Sequence, residues 1–468
     1  MQRLFALCLL INLTVCVAAH GQSLESVASY VGQSVPAGTN LVYGVEFSGN
    51  RLIVAISNTL RIMSPTPSGW AILPQVISAP SADVVGFGQW IRGDAQSIAV
   101  GCESGHVFVY DMRAEPNAPI ASWQNPTGAR VTVLTVDGER ILVGTPTTNG
   151  TAGGGYILRR SGSSLVVEQS FIDPSNPTSI GWSGGMSGDE VVLSGEGSAS
   201  YWHARAWRRF QGQWNALGAL SPQGAQGNPI FGCSSSVDGA VLAVGARDEA
   251  TAGGQSGACF IFERSPSGWN QVAKITLDSP PYDNQETGGS VTVAGGKVWV
   301  SASGNMENGV GDRGRTLVVS KRDGQWSIEQ VLRAPESGYV TFWGYSPRVA
   351  ANGMVATFGA DSPTPFSTWR PRLDVLAPFN DCDNNGLNDV ATVLNGVAID
   401  LNRDAVPDTC QCVADLNGDS RVSGGDLGLL FVAWGRTGPG VAEDLNRDGH
   451  VDGADIQQVL ADWGSCPN

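Results

Sequence analysis

Oxygen-bearing side chains recur at regular positions in two short stretches near the C-terminus. The first stretch supplies positions 1, 3, 5, 7, 9 and 12 of a loop from Asp415, Asn417, Asp419, the backbone carbonyl of Arg421, Ser423 and Asp426. The second begins 29 residues later and supplies the same positions from Asp444, Asn446, Asp448, the carbonyl of His450, Asp452 and Asp455. Hard cations such as Ca²⁺ take about six to eight oxygen ligands, which a tight loop with this spacing provides. The sequence therefore predicts two calcium loops, in which His450 offers its carbonyl and not its imidazole.

Each predicted loop is followed by an apolar segment that favours a helix. These segments read LGLLFVAWG (427–435) and IQQVLADWG (456–464), and each ends in a glycine suited to terminating a helix. Val422 and Val451 occupy position 8 of the loops, where we expect a loop to be anchored to a core. A solvated acidic turn would not repeat its ligand positions, its valine and its tryptophan in register, so we predict a paired loop–helix unit.

This pair resembles a type I dockerin module, which consists of two half EF-hands, and the resemblance covers about residues 412–468. It implies calcium as the bound ion and a cohesin-like protein module or surface scaffold as partner. It also implies an exported assembly, in many members one for polysaccharide degradation. In the family, loop positions 10 and 11 help to select the partner, commonly through hydroxyl groups. This chain departs from that pattern, since it has Gly424, Gly425, Gly453 and Ala454 there.

A second acidic region, 380–411, precedes the doubled unit. Its candidate oxygen ligands are Asp381, Asp383, Asn385 and Asp389, and then Asp400, Asn402, Asp404 and Asp408. With Cys382 and Cys410 nearby, this region resembles thrombospondin type 3 repeats, which implies further calcium ions. Ala405 replaces the usual glycine of the second turn. A plain polar linker is the alternative interpretation.

The N-terminus has the pattern of a secretory signal peptide. Arg3 precedes an apolar run, 4–19, and Ala19-His20-Gly21 fits a small-x-small cleavage site. We therefore expect residues 1–21 to be removed and the mature protein to be secreted or held at the cell surface; a buried helix is the alternative. Later segments are too short or too polar to span a membrane, so we expect no transmembrane segment in the mature chain.

Charge and cysteine content fit an exported, cation-binding tail. From Asn380 onward the chain has 15 acidic and four basic residues, a balance of −11 out of −15 for the whole chain. Such a tail should attract cations and repel nucleic acid. Of nine cysteines, two lie in the signal peptide, and the other seven can form disulfides in an oxidising compartment. Cys412 with Cys466 is the pairing we favour, because these two flank the doubled unit.

The long middle of the chain, 22–379, is repetitive. Seven short apolar segments end in small residues, at 52–57, 97–101, 140–144, 191–195, 241–246, 297–302 and 354–360. A second repeated element has a Gly-x-Trp-type turn and a further strand, at 67–75, 211–220, 266–275 and 323–332. The repeat length of about 43 to 57 residues is typical of one four-stranded blade. We predict a mainly β fold: a seven-bladed β-propeller, with a closing strand within 24–42, followed by a small α-helical EF-hand-like dockerin module. A long β-sandwich array is the alternative.

One of the repeats resembles the FG-GAP propellers of integrin α chains. The resemblance rests on FGCSSSVDGAVLAVGARDE (231–249) followed by GACFIFER (257–264), and it covers roughly residues 25–378. Members of this family often carry an Asp-rich calcium loop within a blade. The matching loops here, 145–155, 247–257 and 303–314, lack alternating acidic residues, so we expect no calcium in the propeller.

Tryptophans and acidic residues of the middle region suggest weaker hypotheses. Four tryptophans recur at one place in the repeat and are interpreted as structural: Trp70, Trp214, Trp269 and Trp326. Four others are better candidates for a glycan-binding surface: Trp182, Trp202, Trp207 and Trp343. The chain has no HExxH or P-loop motif. A glycosidase would need two opposed carboxylates, and the candidates are Asp83, Asp94, Glu103, Glu196, Asp238 and Asp361.

These observations favour an exported, non-catalytic calcium-binding protein. The propeller would offer a recognition surface, and the dockerin-like tail would attach it to a partner, in an assembly connected with polysaccharide degradation. A polysaccharide-active hydrolase with the propeller as its catalytic domain is the alternative. A structural surface protein without a small ligand is a third hypothesis.

Overall fold

The computed structural model describes residues 24–466 apart from 32–34, 37–41, 50, 57, 67–68, 114–115, 117, 147–152, 173–178, 197–201, 227–229, 252–253, 278–285, 304–313, 334–338, 351–352, 363–367, 383–386, 399, 401–406, 411, 418, 420, 439–440 and 447. The predicted signal peptide and four predicted ligands, Asp383, Asn385, Asn402 and Asp404, lie outside the described residues. Among the described residues, no helix is long and apolar enough to cross a membrane.

The described chain is mainly β, and four of its sheets have the same antiparallel, four-stranded order. The first contains β3 to β6, at Val42–Ser48, Arg51–Ile56, Thr59–Thr66 and Gly69–Ser78. The second contains β15 to β18, at Ser179–Ser187, Glu190–Glu196, Trp202–Phe210 and Gln213–Leu220. The third contains β19, β20, β23 and β24, at Phe231–Asp238, Val241–Ala246, Ala258–Ser265 and Gly268–Ile275, with a separate ribbon of β21 and β22 at Ala250–Thr251 and Gly254–Gln255. The fourth contains β25 to β28, at Thr287–Ala294, Lys297–Ala302, Arg315–Arg322 and Gln325–Arg333.

An eight-stranded sheet contains two further runs of four strands. The first run is β7 to β10, at Trp90–Gly93, Ser97–Gly101, His106–Asp111 and Ala121–Gln124. The second run is β11 to β14, at Thr132–Asp137, Arg140–Thr145, Gly154–Ser161 and Ser164–Ser170. A single parallel contact, Ser122 with Ser164, joins the outer strands of the two runs.

The last sheet combines both ends of the repetitive region. It consists of β29 (Tyr339–Val349), β30 (Val355–Ser362) and β31 (Thr368–Pro378), with β1 (Leu24–Val31) paired along β31. The short strand β2, Val35–Pro36, also pairs with β31. The register of β1 runs antiparallel from Leu24 opposite Pro378 to Val31 opposite Arg372. The predicted closing strand within 24–42 is therefore confirmed as a partner of the last strand.

All seven apolar segments singled out in the sequence form strands, namely β4, β8, β12, β16, β20, β26 and β30. Each lies between two other strands of its run, and β12, β20 and β26 are buried at every position after their first. Burial on both faces explains why these strands are continuously apolar rather than alternating. Some end in glycine because the neighbouring run approaches closely. A Cβ on Gly144 would overlap the carbonyl of Gly181, and one on Gly245 that of Gly288.

The first strands of successive runs contact each other in a closed series. Five links of this series are hydrogen bonds from Ser48 to Asp94 (2.7 Å), Arg92 to Leu134 (3.2 Å), Met186 to Thr135 (3.1 Å), Val293 to Ser236 (3.0 Å) and Thr292 to Pro347 (2.7 Å). Ser183 and Ser235 form a sixth, hydroxyl to hydroxyl, at 3.0 Å. An ion pair from Arg348 Nε to Glu46 Oε2, at 3.1 Å, links β29 back to β3. Apolar clusters fill the spaces between neighbouring runs, so the core is divided into layers and has no single centre.

A short helix lies in the region interpreted as an acidic linker. This helix, α1 (Asp389–Leu394), begins after Asn388, whose side chain accepts the amide N–H of Val390 at 3.1 Å. Val393 and Leu394 are buried, and Leu394 packs in the apolar cluster shared by the first and last sheets. At least this part of 380–411 is therefore attached to the sheets and is not an extended acidic chain.

Four cysteines of the C-terminal region form two disulfides. Cys412 and Cys466 are bonded, with their Cα atoms 5.3 Å apart, which confirms the predicted pairing. Cys382 and Cys410 form the other bond, with a Cα separation of 5.7 Å. The remaining described cysteines, Cys102, Cys233 and Cys259, are free thiols.

We expect these three thiols to react slowly in the folded protein. Burial raises the pKa of Cys102 to about 12 and that of Cys233 to about 11, and it raises the pKa of Cys259 as well. Because the thiolate is the reactive species, a thiol reagent at pH 8 should modify none of them within minutes. In denaturant without reductant all three should react at once. Rapid modification of the native protein at Cys102 or Cys259 would contradict the burial.

Candidate metal centre

Two helices follow the predicted calcium loops. They are α2 (Gly424–Val432) and α3 (Gly453–Ala461), so each begins three residues before the apolar segment and ends before its Trp-Gly. Ser423 and Asp452, at loop position 9, are the N-caps, and each forms a capping box with the aspartate at position 12. A capping box satisfies backbone N–H groups that a helix leaves free at its start. Positions 9 and 12 therefore fix where each helix begins as well as offering oxygens to an ion.

The position-12 carboxylates are fully buried and face the backbone of their loops. Asp426 accepts N–H groups from Asn417 (3.1 Å) and Ser423 (2.8 Å). Asp455 likewise accepts N–H groups from Leu445 (2.8 Å), Asn446 (3.3 Å) and Asp452 (2.8 Å). Burial would raise the pKa of Asp426, but the N–H groups of Ser423 and Asn417 outweigh it and hold the pKa below its ordinary value. This carboxyl is thus kept in its anionic form.

Positions 3 and 5 hold their side chains in the same way in both loops, and the position-1 carboxylate accepts a backbone N–H from position 5 in the first loop and from position 6 in the second. In the first loop, the side chains of Asp415 and Asn417 both accept the backbone N–H of Asp419, at 3.1 Å and 2.8 Å. The side chain of Asp419 accepts the N–H of Arg421 at 2.9 Å. In the second loop, the side chain of Asp444 accepts the backbone N–H of Gly449 at 2.9 Å. The side chain of Asn446 accepts that of Asp448 at 3.0 Å, and the side chain of Asp448 accepts that of His450 at 2.9 Å. Each bond turns a side-chain oxygen back toward its own loop, where a cation would lie.

Asp444 has an oxygen that the protein leaves unsatisfied. The residue is 6% exposed, and its Oδ1 is buried without a hydrogen-bond partner among the residues that the structure describes. Burial, together with the charges of Asp455 and Asp448, raises the pKa of this carboxyl despite the N–H of Gly449. A buried carboxylate oxygen without a donor is costly, and a bound cation would remove that cost. The all-oxygen donor set and this orphaned atom fit a hard ion such as Ca²⁺.

The two loop–helix units interlock around one small core. Val422 and Val451 are both buried and pack with Leu430, Leu445 and Val459, which confirms the predicted anchoring role of position 8. Strand β32 (Arg421–Val422) pairs with β33 (Gly464–Ser465), the segment after α3. The second loop pairs with the segment after α2, through hydrogen bonds between Val451 and both Gly435 (2.9 Å) and Arg436 (3.0 Å). Each loop therefore depends on the other unit, and the imidazole of the exposed His450 is not part of the core.

The surface of this module has no polar side chains at loop positions 10 and 11, where partner selection was expected. Gly424, Gly425, Gly453 and Ala454 are all exposed at the starts of α2 and α3. Large apolar side chains are instead exposed toward the helix ends: Phe431, Val432, Trp434, Leu460 and Trp463. The sequence pattern did not indicate this surface, although Trp434 and Trp463 recur at the same offset from Asp415 and Asp444.

The preceding acidic region is described only in part. Asp389 is buried and accepts the Asn380 side-chain amide and the Cys382 N–H, both at 2.9 Å. Asp381 is partly exposed, Asp400 is buried, and Asp408 begins a single 3₁₀ turn, Asp408–Cys410. Two groups of three residues have possible ligand atoms that lie within 4.8 Å of one another inside the group. One group is Cys382, Asp389 and Cys410, and the other is Cys412, Asp415 and Cys466. Because both cysteine pairs are disulfides, neither group offers a thiolate to a metal.

Several candidates of the middle region have structural roles. Asp94 accepts the N–H groups of Gln96 and Ser97 in a turn, and Trp326 donates its indole N–H to Glu263 at 2.8 Å. Asp83, Glu103 and Asp238 are exposed, whereas the side chains of Glu196, Asp361, Trp70, Trp202 and Trp343 lie outside the described residues. Trp182 is exposed, with the Arg130 guanidinium 4.5 Å from its ring. Trp207 and Trp214 line an open cavity of 530 Å³ between the sheets.

Comparisons with known proteins found similar solved structures at low sequence identity. No family model and no curated protein matches it. The WD40 β-propeller domain of Doa1 is similar with a TM-score of 0.48 and 11% identity, covering 76% of this chain and 97% of that one. A chain of the mitotic checkpoint complex is similar with a TM-score of 0.46 and 10% identity, covering 77% and 92%.

Proposed function

We propose that this protein is an exported calcium-binding protein that uses its C-terminal module to attach a β-propeller to a partner. Residues 22–379 are the propeller in this proposal, 380–411 an acidic thrombospondin type 3-like segment, and 412–468 the dockerin-like module. Two calcium ions bind the loops that precede α2 and α3. The propeller serves as a recognition surface for a protein or glycan.

One observation carries the calcium proposal: the two loops orient their oxygens by matching hydrogen bonds at positions 3, 5 and 12. Asx-type bonds at positions 3 and 5 and a buried carboxylate at position 12 occur in both. The unsatisfied oxygen of Asp444 supports it independently. A turn that only carried charge would have no reason to bury these carboxylates twice.

The bound ion would supply positive charge that satisfies clustered carboxylates. This chain's own residues would hold each ion, anchor its loop and start the helix that follows. Asp415, Asn417, Asp419, Ser423 and Asp426 would hold the first ion with the carbonyl of Arg421. Asp444, Asn446, Asp448, Asp452 and Asp455 would hold the second with the carbonyl of His450. Val422 and Val451 fix each loop to the core, and the capping boxes at Ser423 and Asp452 couple loop geometry to the start of the helix.

The propeller proposal is supported by the closed series of first strands. Seven junctions link seven runs, six by hydrogen bonds and the last by the Glu46–Arg348 ion pair. Pairing of β1 with β31 completes the last run from the N-terminal side. We infer seven blades from this series, because radial repetition protects sheet edges.

The exposed apolar side chains at the ends of α2 and α3 support attachment to a protein partner. An apolar patch of this kind on a small exported module marks an interaction surface. A cohesin-like module or surface scaffold is the partner we propose, recognised through apolar contacts in place of the hydroxyls at positions 10 and 11. The test is a pull-down with a panel of purified cohesin modules. The wild-type protein should retain at least one of them, and the double variant Trp434→Ser/Trp463→Ser should retain none.

The calcium stoichiometry tests the proposal directly. Isothermal titration of the chelator-treated protein should give two strong sites. Asp415→Ala and Asp444→Ala should each remove one, because each deletes a position-1 carboxylate. Glu443→Ala is the matched control, since it removes an adjacent acidic residue that is not at a ligand position. A stoichiometry that both Asp variants leave unchanged would refute the assignment.

A further inference from the structure

The cavity between two neighbouring runs has a chemistry that the proposed calcium and attachment roles do not use. It lies between the run β11–β14 and the run β15–β18. Its lining includes Phe171, Trp207, Trp214, Arg205, Ala216 and Ala219. A volume of 530 Å³ falls within the range of small-molecule sites, about 300–1,000 Å³.

Three aromatic rings form one wall of the cavity. Phe171 lies 4.9 Å from Trp207 and 5.8 Å from Trp214, centroid to centroid. Both contacts are tilted or edge-on, so the three rings hold one another in place and do not stack closed. The wall is therefore rigid and apolar, and it suits a flat or ring-shaped ligand.

Arg205 is the charged group of the cavity, and it is unusual among its neighbours. Five other arginines of β12, β13 and β17 have a carboxylate within 4.0 Å: Arg140, Arg159, Arg160, Arg208 and Arg209. Every arginine on these three strands is described, and Arg205 alone forms no ion pair. Its guanidinium is thus free to meet an anion.

The repeat itself shows that the cavity is a departure from the other runs. In hairpin β17–β18, Arg205 is opposite Ala219, the sixth pair from the turn across a bulge. The sixth pair is Phe260 with Lys274 in β23–β24, and Leu317 with Val331 in β27–β28. Phe260 and Leu317 are fully buried. Arg205 therefore stands where two other runs have an apolar core residue.

The same comparison shows how the space is closed elsewhere. The fourth pair from the turn is Trp207 with Ala216 here, Phe262 with Gln271 in the next hairpin, and Val319 with Ile328 in the one after. Gln271 bonds to the backbone of Gln223, and Lys274 to that of Gly224, so these side chains cover the equivalent junction. Ala216 and Ala219 are too short to do so. This junction therefore has the Arg205 side chain in its cavity and lacks the cover that Gln271 and Lys274 give to the next junction.

We propose that this cavity binds a carboxylate-bearing sugar ring, of the uronic acid type. The planar guanidinium of Arg205 matches a carboxylate with two parallel hydrogen bonds. The apolar face of a pyranose packs on Trp207 and Trp214, next to Phe171. A phosphate or sulfate ligand would favour several clustered cations, whereas this cavity has one.

The test uses galacturonate and galactose, which differ by the carboxylate, with the full mature chain in chelator so that the metal loops take no part. Galacturonate should bind saturably by calorimetry and change tryptophan fluorescence, and galactose should bind at least about tenfold more weakly. Arg205→Met should weaken galacturonate binding by about tenfold to a hundredfold, because a charge-assisted pair is lost. Methionine suits a position that is apolar in other runs, so folding should persist. Arg159→Met removes the same charge outside the cavity and should bind as the wild type does.

A second variant tests the cavity without touching the charge. Ala216→Ile copies the residue of the β27–β28 run and should reduce binding by filling the space. Benzoate tests whether a flat carboxylate suffices. The proposal is overturned if galacturonate does not bind, if Arg205→Met and Ala216→Ile both bind it like the wild type, or if benzoate binds more tightly than galacturonate.

Discussion

Removing calcium should unfold the C-terminal module while the sheets remain folded. Its apolar core is one small cluster, and modules of this size are marginal without a metal or a cross-link. A ligand present at about a hundred times its Kd contributes about 2.7 kcal/mol per site, so two ions contribute about 5 kcal/mol. Without them, the carboxylates of Asp444, Asp448 and Asp455 repel one another around a buried, unsatisfied oxygen. In calorimetry, chelator should abolish or lower one of two thermal transitions.

The Cys412–Cys466 bond separates this effect from covalent restraint. It joins residues 54 apart in sequence and should stabilise the module by about 4 kcal/mol through loop closure. Chelator should therefore lower the module's transition in the oxidised protein and abolish it after reduction. Asp444→Asn should reproduce part of the chelator effect, and Glu443→Gln, with the same change of charge, should not. A module transition indifferent to chelator in both redox states would sink the calcium assignment.

Glu46→Leu should cost about 3–5 kcal/mol of unfolding free energy, because it leaves a buried guanidinium without its carboxylate. Both Glu46 and Arg348 are buried, and their 3.1 Å contact joins the first strand of the first run to that of the last. Burial raises the pKa of Glu46 against the attraction of Arg348 and Arg92, which shows how far this pair is withdrawn from water. Urea unfolding at pH 7 measures the loss, followed by a signal from the sheets.

A double variant and an exposed pair complete this experiment. Glu46→Leu/Arg348→Leu removes both charges and should recover most of the stability, since a buried pair can be replaced by apolar residues at little cost. Glu139→Leu removes the carboxylate near Arg159 and Arg160, where Glu139 and Arg159 are well exposed and Arg160 is partly exposed, and should change stability by less than about 1 kcal/mol. Equal losses for Glu46→Leu and Glu139→Leu would show that the Glu46–Arg348 pair has no special role.

Features that depend on short sequence patterns were predictable. A strand buried on both faces needs a continuous apolar segment, and all seven apolar segments form strands. Position 8 of each loop could be assigned to the core because Val422 and Val451 interrupt otherwise polar stretches. The Cys412–Cys466 pairing followed from its place at both ends of one doubled unit.

Features that depend on contacts between distant segments were not predictable. Helix α1 is too short to show a period, and it forms because Leu394 reaches the cluster of the first and last sheets. The cavity around Arg205 is formed by Ala219, which lies opposite it across a bulged hairpin, and by Phe171, which comes from the neighbouring run. The sequence shows each of these residues but not the register that brings them together. The predicted helix starts were three residues too late, because the small residues at positions 10 and 11 do not favour a helix and the capping boxes are formed by the loop oxygens.

Strand β31 determines how the molecule responds to mechanical force. The chain leaves the sheets at Pro378, directly at the end of β31, so a load applied through the C-terminal module enters the sheets there once α1 has been detached from its cluster. Because β31 lies between β1 and β30 and is antiparallel to both, it is gripped on its two sides. A pull along this strand must shear two ladders of hydrogen bonds together and cannot peel one edge strand. The pairing that completes the last sheet thus also makes the chain's exit a strong point for a tether.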